Sequence, residues 1–169
     1  RRAPLRDAQG DVFSLSQIER SDRLSELRFL FGFGRKFRTG EIAELLGAYA
    51  EREFRFTDWP EWNTPVDGGF LNGFIDLVFR RRTASGDRYC LVDWKTNRLD
   101  GEPANFTPAR LPAAMSHSYY FLQYLFYTVA LVKFLRRTFG KFDAEDYRDR
   151  FGGVYYLFLR GIRAGQPPN

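Results

Sequence analysis

The stretch from Gly69 to Asn97 constrains this chain more than any other. Gly69-Phe70-Leu71-Asn72-Gly73-Phe74-Ile75-Asp76-Leu77-Val78-Phe79-Arg80 and Arg88-Tyr89-Cys90-Leu91-Val92-Asp93-Trp94-Lys95-Thr96-Asn97 are both rich in β-branched and aromatic residues. Thr83-Ala84-Ser85-Gly86-Asp87 supplies turn chemistry between them, so the pair predicts an antiparallel hairpin. The midpoint between Asp76 and Asp93 falls between Ala84 and Ser85, inside that turn. The two carboxylates are therefore expected opposite each other, with Cβ atoms roughly 5 Å apart. Lys95, two residues beyond Asp93, shares their face because strand side chains alternate. The other face reads Ile75, Leu77 and Phe79 against Cys90, Val92 and Trp94, which predicts a core.

Facing carboxylates repel, and one of them would normally hold a proton at neutral pH. A divalent cation between them lets both ionise. Hard oxygen ligands on a rigid strand pair suit magnesium, which takes one or two carboxylates from a protein and keeps several waters. A lysine beside such an ion can orient or help deprotonate a water nucleophile. That combination is a hydrolytic site for a phosphodiester. Asp-x-Lys alone is a common tripeptide, most often a solvated strand edge; the matched spacing to Asp76 sets this one apart.

Gly73-Phe74-Ile75-Asp76, Asp93-Trp94-Lys95 and Gln123-x-x-x-Tyr127 resemble, in order, the third, fourth and fifth motifs of the PD-(D/E)xK nucleases. The surrounding wording resembles the C-terminal nuclease domain of the RecB type found in RecBCD-like helicase-nucleases. It includes Gly69 to Phe79, Leu122-Gln123-Tyr124 with Tyr127-Thr128 and Ala130-Leu131, and Phe151-Gly152-Gly153-Val154 leading into Tyr156-Leu157-Phe158-Leu159-Arg160-Gly161. The resemblance covers residues 15–161.

Composition narrows the classes. A chain of 169 residues is long enough for one domain with a respectable core. Lysine and arginine outnumber acids 26 to 21, for a net charge of +5, which favours a polyanionic partner. The one cysteine, Cys90, excludes an internal disulfide and a four-cysteine iron–sulfur cluster, and points to a reducing, cytoplasmic compartment. No apolar run reaches the roughly 18 residues of a membrane span, and no signal peptide is apparent. The chain begins Arg1-Arg2, which suggests a piece of a longer polypeptide.

Along the chain, residues 1–14 are polar and basic and read as a linker or loose arm, and residues 162–169 as a tail. Residues 25–33 alternate well enough for a first strand, and Gly32-x-Gly34 is taken as its end rather than a phosphate loop. Residues 39 to about 52 predict a short helix with Thr39 as N-cap and Ile42, Leu45, Leu46 and Tyr49 as its apolar stripe. Residues 54–66, with Trp59 and Trp62, read as an aromatic loop that packs under the fold or stacks on bases. A polar connection over residues 98–111 leads to a long helix, starting between Pro112 and Ser118 and ending near Arg137. Gln123 and Tyr127 share one face of it, and a buried Gln there needs hydrogen-bond partners. Residues 154–159 predict a strand buried on both faces. Strand, helix, hairpin, long helix and strand predict an α/β fold around a mixed sheet flanked by helices. The arginine run Arg80-Arg81-Arg82, with Arg98, Arg136 and Arg137, reads as a solvated face or a phosphate track.

The resemblance implies a restriction-endonuclease-like version of that fold. It implies that Asp76 and Asp93 ligate magnesium, for which manganese or calcium can substitute in binding, with the Trp94 backbone carbonyl as a third ligand. Lys95 would orient the water, and Gln123 and Tyr127 would contact the strand or brace the site. Glu26 matches an acidic residue upstream in these nucleases. The implied substrate is DNA, single-stranded, and the implied partners are a helicase segment or the subunits of a RecBCD-like complex, and a recombinase. The implied setting is recombinational repair of double-strand breaks, with no membrane.

Three departures accompany the match. Trp94 stands where tyrosine is usual, and is expected on the core face. The family carries a metal-ligating histidine on an upstream helix; the one histidine here, His117, matches a different position, so the first motif is expected to be truncated or lost. No helicase motif is present in the sequence. Two other readings therefore accompany the first: a free-standing phage or defence exonuclease of this fold, and a degenerate nuclease fold that only binds DNA or a recombinase.

Overall fold

The two arms fold as one antiparallel pair in the expected register. In the computed structural model, strand β6 (Gly69–Thr83) runs against β7 (Gly86–Lys95), with Leu77 opposite Val92, Phe79 opposite Cys90 and Thr83 opposite Gly86. Gly86, at φ +118°, takes the left-handed backbone that closes the turn, and Thr83 Oγ1 donates to its carbonyl at 2.8 Å. The structure describes residues 4–7, 9–42, 44, 64–98, 106–107, 109–118 and 120–162.

Around this pair the chain builds a four-stranded sheet in the order β3-β6-β7-β8. Strand β3 (Arg23–Phe33) pairs antiparallel with β6, and β8 (Phe151–Phe158) pairs parallel with β7, so the sheet is mixed. The parallel pairing needs a long crossover. It runs through helices α1 (Leu111–His117), α2 (Tyr120–Phe139) and α3 (Ala144–Arg150). The long helix expected to start between Pro112 and Ser118 and end near Arg137 is α2, at Tyr120–Phe139, and the short α1 precedes it, ending at His117. Asp143 caps α3, its Oδ1 accepting from the amides of Glu145 and Asp146 at 3.0 and 3.1 Å. Short strands β4 (Phe37–Arg38) and β5 (Pro65–Val66) form a separate ribbon. Residues 39–42 are helical, as expected; most of that helix, Trp59 and Trp62 lie outside the described residues. This is a mixed α/β architecture with helices against a central sheet, consistent with a restriction-endonuclease-like fold.

Both faces of the hairpin are covered, which corrects the one-sided core read from alternation. On one face Ile75, Val78 and Leu91 pack with Ala130, Leu131 and Leu135 of α2 and with Phe142. On the other, Leu77, Phe79, Cys90 and Val92 pack with Leu5, Phe13 and Ile18. Ile75 has thus changed sides relative to Leu77, and Trp94, expected in the core, is 37% exposed. The alternation breaks at Asp76. The neighbouring strand breaks at the same level: the β3–β6 ladder passes from Ser25↔Leu77 to Leu27↔Ile75 without a pair at Glu26, which sits at φ +52°. A left-handed non-glycine residue costs about 1–2 kcal/mol, and such strain concentrates at functional sites.

The N-terminal residues, expected as a loose arm, instead form a hairpin of β1 (Pro4–Arg6) and β2 (Val12–Ser14) docked on the sheet. Leu5 and Phe13 face each other and bury together, and the Phe13 ring stands 5.9 Å from Phe79 and 5.8 Å from Tyr155. Arg81 pairs with Asp7 and Asp11 and lies 4.6 Å over the Phe13 ring. Each strand is three residues long, too short for periodicity to register. Among the described residues no helix is long and apolar enough to cross a membrane.

Candidate active site

Lys95, at the end of β7, is held from three sides. Its Nζ lies 2.5 Å from Asp93 Oδ2 and donates to Gln123 Oε1 at 2.6 Å. It also stands 3.7 Å over the ring of Tyr120 and 5.2 Å from that of Tyr156. Asp93 and Lys95 are 4% and 7% exposed, so this is a buried pair and not a solvated strand edge. Covering by α2 is what buries it.

Gln123 completes the network. Its Nε2 donates to Asp93 Oδ1 and to the Tyr127 hydroxyl, both at 2.8 Å, while its Oε1 accepts from Lys95. Both amide hydrogens and the carbonyl are used, which answers where a half-buried glutamine finds partners. Helical spacing of four puts Tyr127 one turn along from Gln123.

Asp76 approaches from β6. Its Oδ2 accepts from the backbone amide of Trp94 at 2.8 Å. Burial pushes the Asp93 carboxyl above the ordinary aspartate range, and the charge of Asp76 adds to that; Lys95 and Gln123 oppose it. Burial likewise raises the hydroxyls of Tyr127 and, more strongly, Tyr156, with the Asp93 charge contributing to both. The regular ladder ends at Leu77↔Val92, one step short of the expected Asp76–Asp93 pair, and Asp76 reaches the backbone amide of Trp94.

The donor set fits a hard divalent cation. Two carboxylates stand on adjacent strands, the charge of Asp76 makes ionisation of Asp93 harder, and Asp76 Oδ1 accepts no hydrogen bond among the described residues. Magnesium needs few protein oxygens and relieves such a surplus of negative charge. Glu26, the expected accessory acid, is exposed and stands level with Asp76 where the ladder skips. Among the described residues no three His, Cys, Asp or Glu side chains converge as a cation cage. Trp94 enters the site through its amide hydrogen.

Two groups around the lysine are not singled out by spacing. Tyr120 and Tyr156 stack with ring centroids 5.7 Å apart; Tyr156 OH donates to the Tyr120 carbonyl and Tyr120 OH to Asn97 Oδ1, each at 2.8 Å. Tyr156 reaches Lys95 because the parallel ladder sets it opposite Asp93, a register no local pattern announces. The arginine run, read as a solvated face or phosphate track, is engaged elsewhere. Arg80 and Arg82 pair with Asp22, Arg80 also with Asp87, and Arg81 with Asp7 and Asp11.

Fold and site together define a mixed-sheet α/β domain with two acids and a lysine converging at one hairpin under a glutamine-bearing helix. No protein-family model matches the chain. It is similar to part of the RecBCD enzyme subunit RecB of Escherichia coli, at 34% identity over 154 residues, covering 91% of this chain and 12% of that subunit. RecB of Haemophilus influenzae is 43% identical over 99 residues, 59% of this chain and 8% of that protein. RecB of Mycobacterium tuberculosis is 34% identical over 174 residues, 93% and 15% respectively. The chain thus spans less than a sixth of each of these relatives. These similarities support a relationship to that portion of RecB.

Proposed function

We propose that this chain is a metal-dependent DNA nuclease domain of the RecB type, hydrolysing phosphodiester bonds in double-strand-break repair and recombination. The observation that carries the reading is the convergence of Asp93, Lys95, Gln123 and Tyr127 in one hydrogen-bonded network beside Asp76. Its relatives are named as RecBCD enzyme subunits, which supports work within a RecBCD-like complex; this reading adds a cytoplasmic setting, a helicase segment and a recombinase as partners.

In this reading Asp76 and Asp93 hold magnesium, with the Trp94 carbonyl as a further ligand and Glu26 as an accessory acid; manganese or calcium can take its place in binding. When bound, the cation supplies positive charge to the scissile phosphate and favours attack by water. Lys95 orients the water and offsets charge as it develops on the phosphate. Gln123 fixes the lysine and the Asp93 carboxylate relative to one another, and Tyr127 fixes Gln123. So few protein ligands would hold a cation weakly, and DNA phosphate would add to its binding.

Both oxygens of Asp93 are engaged, by Lys95 and by Gln123, which favours one second reading, a DNA-binding module without chemistry. A magnesium titration of single-stranded DNA cleavage, run beside salt-dependent binding, separates the two. The nuclease reading expects cleavage at millimolar magnesium, lost with chelator and in Asp76→Asn, and binding that weakens steeply with salt. Tight, salt-sensitive binding without cleavage at any metal concentration overturns it in favour of the module.

A further inference from the structure

Beside Lys95 lies a cavity of about 360 Å³. Four aromatic rings line it: Phe29 from β3, and Tyr120, Phe126 and Tyr127 from α2. Lys95 lines it too, so whatever occupies the cavity sits next to the reacting phosphate. Its size falls in the range of small-molecule sites, about 300–1,000 Å³.

Local structure keeps this wall aromatic and in place. A Cβ at Gly73 would stand 2.6 Å from Phe29 Cζ, so glycine at that position is what lets the Phe29 ring lie against β6. Phe29 is braced further by the rings of Phe31 and Tyr127, at 5.7 and 5.8 Å. Phe126 differs from these. It lines the cavity and is half-buried, and among the described residues it is part of neither hydrophobic core cluster.

We propose that this cavity takes one unpaired nucleobase of the strand, next to the phosphate at Lys95, with Phe126 as a stacking and specificity-determining residue. Flat aromatic surfaces beside a cation match a base attached to a phosphate, and stacking of this kind tolerates any base. A base inside a duplex has both faces occupied and must leave the stack to enter. The cavity therefore selects single strands over duplexes through the base, whereas the phosphate contacts do not distinguish them. This inference rests on the nuclease reading for the position of the phosphate, and its test does not require cleavage.

Binding is measured in chelator for three ligands of equal phosphate number: an oligothymidylate, the same backbone built from abasic tetrahydrofuran residues, and a short duplex. The intact chain is expected to bind the oligothymidylate on the order of tenfold more tightly than the abasic strand. Phe126→Ala loses most of that preference while keeping its affinity for the abasic strand, and Phe126→Tyr retains the preference. A circular dichroism melt of each variant checks folding. Equal preference in the intact chain and in Phe126→Ala, or none in either, overturns the inference even if magnesium-dependent cleavage is found. A base preference that depends on Phe126 in a chain that never cleaves leaves the cavity assigned and removes the nuclease reading.

Discussion

The backbone amide of Trp94 donates to Asp76 Oδ2 at 2.8 Å, tying the acid of one strand to the backbone next to the acid of the other. The last regular pair of the β6–β7 ladder is Leu77↔Val92, so this contact holds the strands together where the regular ladder has stopped. Asp76 is in that way both a charge beside Asp93 and a brace on the backbone between Asp93 and Lys95.

Asp93 and Lys95 are a desolvated ion pair, and removing one partner leaves the other as a buried, unmatched charge. Asp93→Ala is therefore expected to lower stability by roughly 3–5 kcal/mol as well as to abolish cleavage. The double variant Asp93→Leu with Lys95→Met should recover most of the stability and none of the activity. Urea unfolding of the three proteins checks this; a cost below about 1 kcal/mol for Asp93→Ala would mean that water reaches the pair.

Gln123 contacts both members of the pair without itself being an acid or base. Gln123→Leu is expected to reduce cleavage by about 10–100-fold, as loss of an orienting neighbour does at a metal site. The loss should fall on kcat and on the metal dependence, with DNA affinity little changed. Single-turnover rates across a magnesium series measure it.

Phe13 reaches across from the N-terminal hairpin to Phe79 and Tyr155. Phe13→Ala should cost roughly 3–5 kcal/mol, the usual penalty for emptying a buried aromatic site. A thermal or denaturant melt tests this directly. A loose arm would show no change.

The Asp143 carboxylate, at the start of α3, is drawn down to about 2 from an ordinary value of 3.8, first by the Lys141 ammonium and then by the Asp146 amide. Its folded pKa lies below its unfolded one, so the stabilisation it gives is complete above about pH 4 and lost as pH falls from 3.8 towards 2. Asp143→Asn keeps a capping side chain without the charge. Comparing acid unfolding of the two proteins between pH 5 and 2 should show a shallower slope in the variant.

Close packing explains why some positions tolerate little. A Cβ on Gly152 would fall 2.3 Å from Cys90 Sγ, where β8 meets β7 near the irregular step between Tyr89 and Cys90. The parallel strand can approach there because the residue has no side chain.

The sequence by itself determined the pairing of β6 with β7 down to Leu77↔Val92 and the pairing of Gln123 with Tyr127 on one helical face. Each of those relations is local: a short turn and a period of two settle the first pair, and a spacing of four settles the second. Tertiary structure alone decided that the acid face is buried. That follows from α2 lying over the sheet, which brings Gln123 to Lys95 across 28 positions of chain. It also decided the change of sides at Asp76, where Glu26 leaves the ladder, because alternation predicts faces only while a strand stays regular. The stacked Tyr120 and Tyr156 around the lysine, and the docking of Leu5 and Phe13 on Phe79, depend on strands and helices far apart in the chain. Their pairing is chosen by which apolar surfaces remain to be covered once the sheet has formed, and no short window of sequence carries that information.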